Sequence, residues 1–353
     1  MMVQIKILID IFKKHNFFHS VFIVLNIFIL KIINKVSFYP FGYTYPYIHQ
    51  IQLEPTKKCN MKCPMCLNSY LNEEEKGNMS YENFLTIVDQ FPYLTTVRLQ
   101  GLGESLMNPE IFKMIDYLKK KGISVGFADN GSLLSEKNIN KLLSLKIDFI
   151  SLSLDTLDPI KYKQIRGVDL FYKVKENIES LVKAKKRNGA YKNTRVLINM
   201  VLTNGTIDEL SSMIDYAKQI GVKEIIASIP QKKYSPAQIE FINRTSNVLN
   251  DKKNQERIFY ETKIKAKIYK INLRFNLLKF HYAKKCLWNF SKVYITWDGY
   301  ITPCCHIENP SVYNFGNILK DSFKKIWNNP HYRNFRKKHL DLYGVCKNCP
   351  YVS

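Results

Sequence analysis

Three cysteines with the spacing C-x3-C-x2-C stand close together in this chain of 353 residues. They are Cys59, Cys63 and Cys66, and they follow a predicted strand over residues 51–54. Soft thiolates select iron–sulfur clusters or zinc. A structural zinc site usually takes four ligands, whereas three thiolates hold three irons of a cubane and leave the fourth iron without a protein ligand. The spacing therefore favours a catalytic iron–sulfur cluster.

The other five of the eight cysteines lie near the C-terminal end of the chain. Cys304 and Cys305 follow a predicted hairpin, Cys346 and Cys349 form a C-x2-C knuckle, and Cys286 precedes them all. Four thiolates from a hairpin and a tail suit either a fully ligated iron–sulfur cluster or a structural zinc ion. The spacing alone leaves both alternatives open.

The elements that must position these cysteines alternate between apolar, β-rich runs and amphipathic helical patterns. Six such alternations predict parallel βαβ units and an α/β fold. The Val, Ile and Leu runs are typical of a sheet covered by helices. The predicted strands are 51–54, 95–99, 123–128, 148–154, 196–202 and 224–228, and the predicted helices are 81–91, 110–121, 135–145, 174–188 and 207–220.

The chain changes character after the sixth strand. Residues 231–275 are Lys-rich and helical in pattern, without a strand–helix rhythm. A hairpin is then predicted around Asp298-Gly299, a favoured turn pair, and a helix over 323–338 follows it. These changes divide the chain into an N-terminal extension, a core and a smaller C-terminal domain. The predicted bounds are 1–47, 48–250 and 251–353.

Four further motifs, in order, resemble those of the radical S-adenosylmethionine (SAM) superfamily over about residues 48–230. That family places its C-x3-C-x2-C loop after the first strand of a partial (β/α)6 TIM-like barrel. The resemblance therefore implies such a barrel, with a small C-terminal α+β cluster-binding domain. The motifs are Gly101-Leu102-Gly103-Glu104 after the second strand, Asp129-Asn130-Gly131 after the third, Ser151-Leu152-Ser153-Leu154-Asp155 at the fourth, and Ile165-Arg166-Gly167.

The resemblance also implies roles for individual residues. Gly101, Gly103 and Glu104 match the motif that receives the amino group of SAM. Ser153 matches a strand end that lines the SAM site, and Arg166 matches a contact to the SAM carboxylate. The implied reaction is reductive cleavage of SAM at a [4Fe–4S] cluster, which gives a 5′-deoxyadenosyl radical that abstracts hydrogen from a substrate.

Three positions depart from the family pattern, and no catalytic residue of the chain itself is assigned. Ser105 stands where many relatives have Pro, and Met65 stands where many have an aromatic residue that stacks on adenine. Asp129 stands where Thr is frequent, so no ligand role is carried over to it.

The C-terminal cysteines resemble the auxiliary-cluster extension of radical SAM enzymes, called SPASM or, in a shorter form, twitch. The full SPASM form holds two clusters with seven cysteines, so five imply one auxiliary [4Fe–4S] cluster. Its implied ligands are Cys286, Cys304, Cys346 and Cys349, with Cys305 spare and structural zinc as the alternative. The matching residues are Cys286, Gly299, Pro303-Cys304-Cys305, Gly316-Asn317-Ile318, Ile326-Trp327-Asn328 and the final C-x2-C.

Three kinds of function fit the sequence. The favoured one is oxidation of a sugar, its phosphate or another small polar metabolite, with the auxiliary cluster as electron acceptor and a flavodoxin or ferredoxin as electron donor. The second is a SPASM-type peptide maturase, although the residues ahead of position 51 are too few and too apolar for a winged-helix leader-binding segment. The third is a zinc-stabilised basic binding protein.

The N-terminal run 17–36 is strongly apolar, but Asn26 and Lys31 interrupt it. Its uninterrupted stretch is short of the ~20 residues that span a bilayer, and it lacks a small-residue cleavage site. A packed helix is favoured, with contact to a membrane surface as the alternative, and the expected location is cytoplasmic. The net charge of +23 comes mainly from Lys, and without an Arg-rich run no nucleic-acid partner is expected.

Overall fold

The computed structural model describes residues 48–187, 189, 193–230, 236–245, 252–276, 286, 288–338 and 344–346, together with positions 21 and 25. Nearly all of the apolar run 17–36 lies outside these residues, as does Cys349. Within the described ranges no helix combines the length and the apolar character needed to cross a membrane.

One sheet organises the described part of the chain. Its strand order is β7-β6-β5-β4-β3-β2-β1-β8-β9, and all neighbours are parallel except the last pair. All six strands predicted from the sequence are present, and the open, parallel arrangement confirms the partial barrel. The strands are β1 Gln50–Leu53, β2 Thr96–Leu99, β3 Ser124–Asp129, β4 Phe149–Ser153, β5 Arg195–Val201, β6 Glu224–Ser228, β7 Asn272–Asn276, β8 Lys292–Ile295 and β9 Ile301–Thr302.

Helices connect successive strands, as parallel pairing requires. The α-helices are α1 Tyr81–Val88, α2 Ile111–Lys120, α3 Glu136–Ser144, α4 Pro159–Arg166, α5 Phe171–Arg187, α6 Leu210–Ile220, α7 Pro236–Thr245, α8 Lys252–Ile268, α9 Trp288–Ser291, α10 Phe323–Asn328 and α11 Pro330–Lys338. Short 3-10 helices cover Leu67–Tyr70, Glu73–Glu75, Ser105–Met107, Ile207–Glu209 and Gly344–Cys346.

Local residues explain where the helices nearest the site begin and end. Ser80 caps α1 by accepting a hydrogen bond from the Asn83 amide, as predicted for a Ser N-cap. Asp158 caps α4 in the same way, with Pro159 at the first helical position. Gly167 ends α4 in the left-handed region at φ 68°, a conformation that glycine adopts without a steric cost.

Two elements differ from the sequence-based expectation. The region 231–275, predicted to lack a strand, contributes β7, which pairs in parallel with β6 over five residues. The predicted helix 323–338 is two helices, because Pro330 has no amide hydrogen to continue α10 and instead begins α11. The predicted domain boundary at residue 250 stays a prediction.

The C-terminal hairpin is part of the same sheet. Strand β8 pairs in parallel with β1, so that Gln52 lies opposite Tyr294. Strand β9 then folds back on β8 around Gly299, whose φ is 89°. The hairpin therefore attaches the C-terminal cysteines directly to the strand that leads into the first cysteine loop.

The two faces of the sheet differ in chemistry. One face is apolar and buried against the helices, as Ile51, Leu53 and Val97 show. The alternate residues form the opposite, inner face, because successive side chains of a strand point to opposite sides. The register aligns a row of inner-face residues that consists of Tyr294, Gln52, Arg98, Gly126, Phe149 and Arg195. The sheet thus has a polar inner face at the core of the partial barrel.

Candidate active site

The first cysteine loop lies at the carboxyl end of β1 and is held by the segment that follows α4. The amide of Lys62 donates a 3.0 Å hydrogen bond to the carbonyl oxygen of Arg166. A Cβ added to Gly167 would lie 2.2 Å from the carbonyl oxygen of Lys62, so only glycine fits there. The Ile-Arg-Gly motif is therefore in direct contact with the cysteine loop, which the sequence alone did not show.

Two thiols of this loop, those of Cys59 and Cys63, lie in a desolvated environment. Burial raises the pKa of Cys59 to about 12, and the negative charges of Glu104, Cys66 and Cys63 add to the increase. Burial also raises the pKa of Cys63, against the opposing effect of the Arg166 guanidinium. Clustered thiolates in such surroundings need a strong positive partner, which an iron–sulfur cluster supplies.

Thiolates are the usual ligands of an iron–sulfur cubane, in which each one binds a different iron. Cys59, Cys63 and Cys66 fit such a cluster by their chemistry and by their common loop. Within the residues that the structure describes, no group of three His, Cys, Asp or Glu side chains is placed to hold a single metal ion.

The glycine-rich loop after β2 packs against the segment that leads into Cys59. The amide of Glu104 donates a 2.8 Å hydrogen bond to the carbonyl oxygen of Lys58. A Cβ on Gly103 would lie 2.3 Å from the Thr56 carbonyl oxygen, which is a backbone atom that cannot move freely. This close approach explains the glycine and brings Glu104 beside the cysteine loop.

Glu104 and Asp129 form a pair of buried acids at the ends of β2 and β3. Their exposed fractions are 4 % and 1 %. Burial and the neighbouring charge of Asp129 raise the pKa of Glu104 well above its usual value, and burial raises the pKa of Asp129 to about 6. Two adjacent buried carboxyl groups favour binding of a cation.

The hydrogen bonds of this pair leave one oxygen available. Glu104 Oε2 accepts from the Asn130 amide at 2.8 Å, and Asp129 Oδ1 accepts from the Gly131 amide at 2.6 Å. Asp129 Oδ2 is buried and has no hydrogen-bond partner among the described residues. The pair therefore fits the ammonium group of SAM. The sequence pointed to Glu104, whereas no ligand role was expected of Asp129 because Thr is frequent at its position in the family. Its place at the end of the third strand was the signal available.

Gly101 lets a different buried acid, Glu54, come close to the glycine-rich loop. A Cβ at this position would lie 2.4 Å from Cγ of Glu54, the buried residue that follows β1. Glu54 Oε1 accepts a 2.9 Å hydrogen bond from the Leu102 amide, and burial raises the pKa of Glu54 to about 7. The first glycine thus allows Glu54 to hold the loop that carries Glu104.

Ser153 and Arg166 occupy different surroundings. Ser153 is half-buried at the carboxyl end of β4, on the inner face opposite Asn199. Arg166 is almost buried, and its Nη2 lies 2.5 Å from Asp155 Oδ2. The ion pair with Asp155 and the nearby Cys63 thiol raise the pKa of Arg166. Its contact with a SAM carboxylate stays a prediction, because the guanidinium already has Asp155 as a partner.

The C-terminal cysteines gather beyond the hairpin. Burial raises the pKa of Cys304, and the nearby charges of Cys305, Cys286 and Cys346 raise it further. Burial lowers the pKa of Lys292, as does the charge of Arg98, against the opposing charges of Cys305 and Cys286, so both cysteines lie near this residue. The structure therefore brings three of the four predicted auxiliary ligands together, and Cys349 lies outside the described residues.

Comparison with known proteins identifies the class that this fold and site define. Residues 53–217 match the model of the radical SAM superfamily, and residues 286–350 match the SPASM iron–sulfur cluster-binding domain. The chain belongs to the radical SAM superfamily and carries a SPASM domain. Its cofactors are therefore SAM, a [4Fe–4S] cluster and additional iron–sulfur clusters in the SPASM domain. The alternative function of a zinc-stabilised binding protein is excluded.

Individual relatives cover most of the chain at low identity. The tungsten-containing aldehyde ferredoxin oxidoreductase cofactor-modifying protein of Pyrococcus furiosus is 28 % identical over 328 residues, which are 85 % of this chain and 86 % of the relative. A probable GTP 3′,8-cyclase of Methanococcus maripaludis is 28 % identical over 289 residues, which are 78 % of this chain and 90 % of the relative.

Solved structures share the fold. Streptococcus suis SuiB bound to SAM superposes with a TM-score of 0.64 at 16 % identity, over 82 % of this chain and 68 % of SuiB. The enzyme anSMEcpe with bound AdoMet superposes with a TM-score of 0.62 at 20 % identity, over 86 % and 83 % of the two chains. At these identities the likeness is one of fold.

Proposed function

We propose that this protein abstracts a hydrogen atom from a small polar metabolite bound on the inner face of the sheet, and that an auxiliary cluster accepts the resulting electron. The observation that carries this proposal is the contact between the acid pair and the cysteine loop. Glu104, in the loop after β2, lies beside Cys59, and Asp129 at the end of β3 lies beside Glu104, on the side of the sheet where barrel enzymes place their reacting groups. The cluster and SAM together supply one-electron hydrogen-abstraction chemistry when they are bound.

Different residues of the chain have different roles in this reaction. Cys59, Cys63 and Cys66 hold the SAM-binding cluster, while the buried acid pair orients the ammonium group of SAM. Half-buried polar groups such as Ser151 and Ser153 face the same space and offer hydrogen bonds to a polar substrate. The C-terminal set, which includes Cys286, Cys304, Cys346 and Cys349, holds the auxiliary cluster.

A triple substitution tests the assignment of the first cluster. We expect Cys59→Ala, Cys63→Ala and Cys66→Ala together to abolish 5′-deoxyadenosine formation from SAM under reducing conditions, and to leave the absorbance of the auxiliary cluster. Cys305→Ala is the matched control and keeps 5′-deoxyadenosine formation. Persistent formation in the triple variant contradicts the assignment.

A substrate screen tests the substrate class. Reconstituted protein is incubated with polar metabolites, sugar phosphates and short peptides, and 5′-deoxyadenosine is measured with each. Stimulation by small polar compounds supports the proposal, whereas stimulation by peptides alone favours the maturase alternative. A flavodoxin or ferredoxin as the physiological donor, and a cytoplasmic location, remain predictions.

A further inference from the structure

We propose that Arg98, Arg195 and Arg274 form an anion-binding site on the inner face of the sheet, which takes the phosphate group of the substrate. This inference rests on the proposed function and adds the substrate's chemical class to it. The three residues come from β2, β5 and β7, and each is on the inner face by the register of the sheet. All three are exposed to the open space of the partial barrel.

One acid holds two of these arginines. Arg195 Nη2 lies 2.8 Å from Glu224 Oε2 and 3.0 Å from Glu224 Oε1. The Nη2 atom of Arg274 donates to the same Oε1. Glu224 on β6 therefore draws the two guanidinium groups together and neutralises only one of their two charges.

Arg98 is held by an aromatic ring instead of an acid. Its Cζ lies 5.4 Å from the centroid of the Phe149 ring. Within the described ranges no acidic side chain forms an ion pair with Arg98. An arginine placed by cation–π contact keeps its hydrogen-bond donors for another group.

A glycine makes room for this ring. Gly126 lies between Arg98 and Phe149 in the register, and a Cβ there would be 2.5 Å from Cγ of Phe149. The ring therefore lies over the glycine and supports the guanidinium from the neighbouring strand. Partial desolvation lowers the pKa of Arg98, the charge of Cys305 opposes this effect, and the charges of Arg274 and Arg195 add to it, so the three guanidinium groups lie near one another.

The net charge of the group fits a phosphate ester. Three guanidinium groups, the Lys292 ammonium near Arg98 and the Glu224 carboxylate leave three positive charges, of which a phosphate monoester balances about 1.5 to 2 at pH 7. Arginine also matches phosphate oxygens with paired donors. A neutral sugar or an apolar peptide segment would leave these charges without a partner.

The position of the site sets the size of the substrate. By the register, Arg98 and Arg195 lie level with Phe149 at the start of β4, ~13 Å along the strand from Ser153 at ~3.3 Å per residue, whereas Arg274 lies level with Ser153. A phosphorylated metabolite of about this length would reach from Arg98 and Arg195 to the strand ends where the SAM site is predicted.

Binding of inorganic pyrophosphate and phosphate to the full-length, anaerobically reconstituted protein tests the site, with calorimetry as the readout. We expect saturable binding by the wild type and an affinity at least about tenfold lower for Arg98→Gln, because a charge-assisted pair is lost. Phe149→Leu retains every charge and should weaken binding about twofold to fivefold. The matched control Arg257→Gln, on the outer surface of α8, should bind as the wild type does.

Several outcomes would overturn the inference. They are undetectable binding by the wild type, equal affinity in Arg98→Gln, or an equal loss in Arg257→Gln. Circular dichroism of each variant verifies that the fold is retained. Formation of 5′-deoxyadenosine by the wild type is measured separately, so that a failure of the proposed function is distinguishable from a failure of the anion site.

Discussion

Glu54 and Tyr294 join the barrel core to the C-terminal hairpin, because Glu54 Oε1 lies 3.3 Å from the Tyr294 hydroxyl. Both residues are buried, and Glu54 also accepts hydrogen bonds from the Leu102 and Trp297 amides. One carboxyl group thus connects β1, the glycine-rich loop and the hairpin that leads to Cys304. This carboxyl group therefore adds to the β1–β8 pairing that already connects the two cysteine regions.

This acid predicts a pH dependence of stability. Burial raises the pKa of Glu54 from 4.5 to about 7. The folded state therefore binds more protons than the unfolded state between these values, and the free energy of unfolding falls as the pH rises from 4.5 to 7. We expect the contribution of Glu54 to fall by about 3 kcal/mol over this window.

Urea unfolding of Glu54→Gln and the wild type at pH 5 and pH 8 measures this contribution. The wild type should lose more stability than Glu54→Gln over that range. The exposed carboxyl of Glu82 on α1 provides a control, and Glu82→Gln should follow the wild type. Parallel pH profiles of the wild type and Glu54→Gln would show that Glu54 ionises normally in the folded state.

Gly103→Ala should separate the acid pair from the cysteine loop. The new methyl group would lie 2.3 Å from the Thr56 carbonyl oxygen and 2.7 Å from that of Lys58. The glycine-rich loop would have to move, so we expect SAM affinity to fall at least about tenfold, as for a lost charge-assisted contact. Equilibrium dialysis with labelled SAM measures this change. Gly205→Ala is the matched control, since its nearest neighbour, Thr203 Oγ1, is 3.9 Å away.

The buried ion pair between Arg166 and Asp155 should be strongly coupled. Arg166→Gln leaves the Asp155 carboxylate without its partner, which costs about 3–5 kcal/mol in buried pairs. Adding Asp155→Asn to that variant should recover part of the loss, because no isolated charge then remains. Urea unfolding of the two single variants and the double variant gives the coupling. If the double variant loses as much free energy of unfolding as the two single variants together, the Arg166–Asp155 pair does not act as a unit.

Cys304 and Cys305 should differ in iron content when each is replaced. Cys304 is the ligand that the SPASM resemblance implies, and the charges of Cys305, Cys286 and Cys346 all raise its pKa. We expect Cys304→Ala to lose about four irons and Cys305→Ala to retain them. Iron analysis after anaerobic reconstitution decides between them. Loss of iron in Cys305→Ala but not in Cys304→Ala would make Cys305 the ligand in place of Cys304. Full iron content in both variants would mean that other residues hold the auxiliary cluster.

Much of the site was predictable because its signals are local in sequence. The spacing of Cys59, Cys63 and Cys66 on one loop, the glycines before Glu104 and the strand–helix rhythm all depend on near neighbours. They predicted parallel βαβ units and favoured an iron–sulfur cluster, and the resemblance to the radical SAM superfamily implied the partial barrel. The strand β7 was missed because its five residues lie in a Lys-rich region, where pairing with β6 outweighs local preference.

Tertiary structure decided which distant residues meet. A two-residue alternation shows that a strand has two faces, but only the curvature of the sheet and the packing of its helices decide which face is the interior. The interior face of the sheet carries Arg98, Arg195 and Arg274, which are far apart in the chain but lie around one space. Likewise, the sequence placed Glu104 in the loop after the second strand and Asp129 at the end of the third, and the folding of that loop back onto Lys58 brought the two acids together.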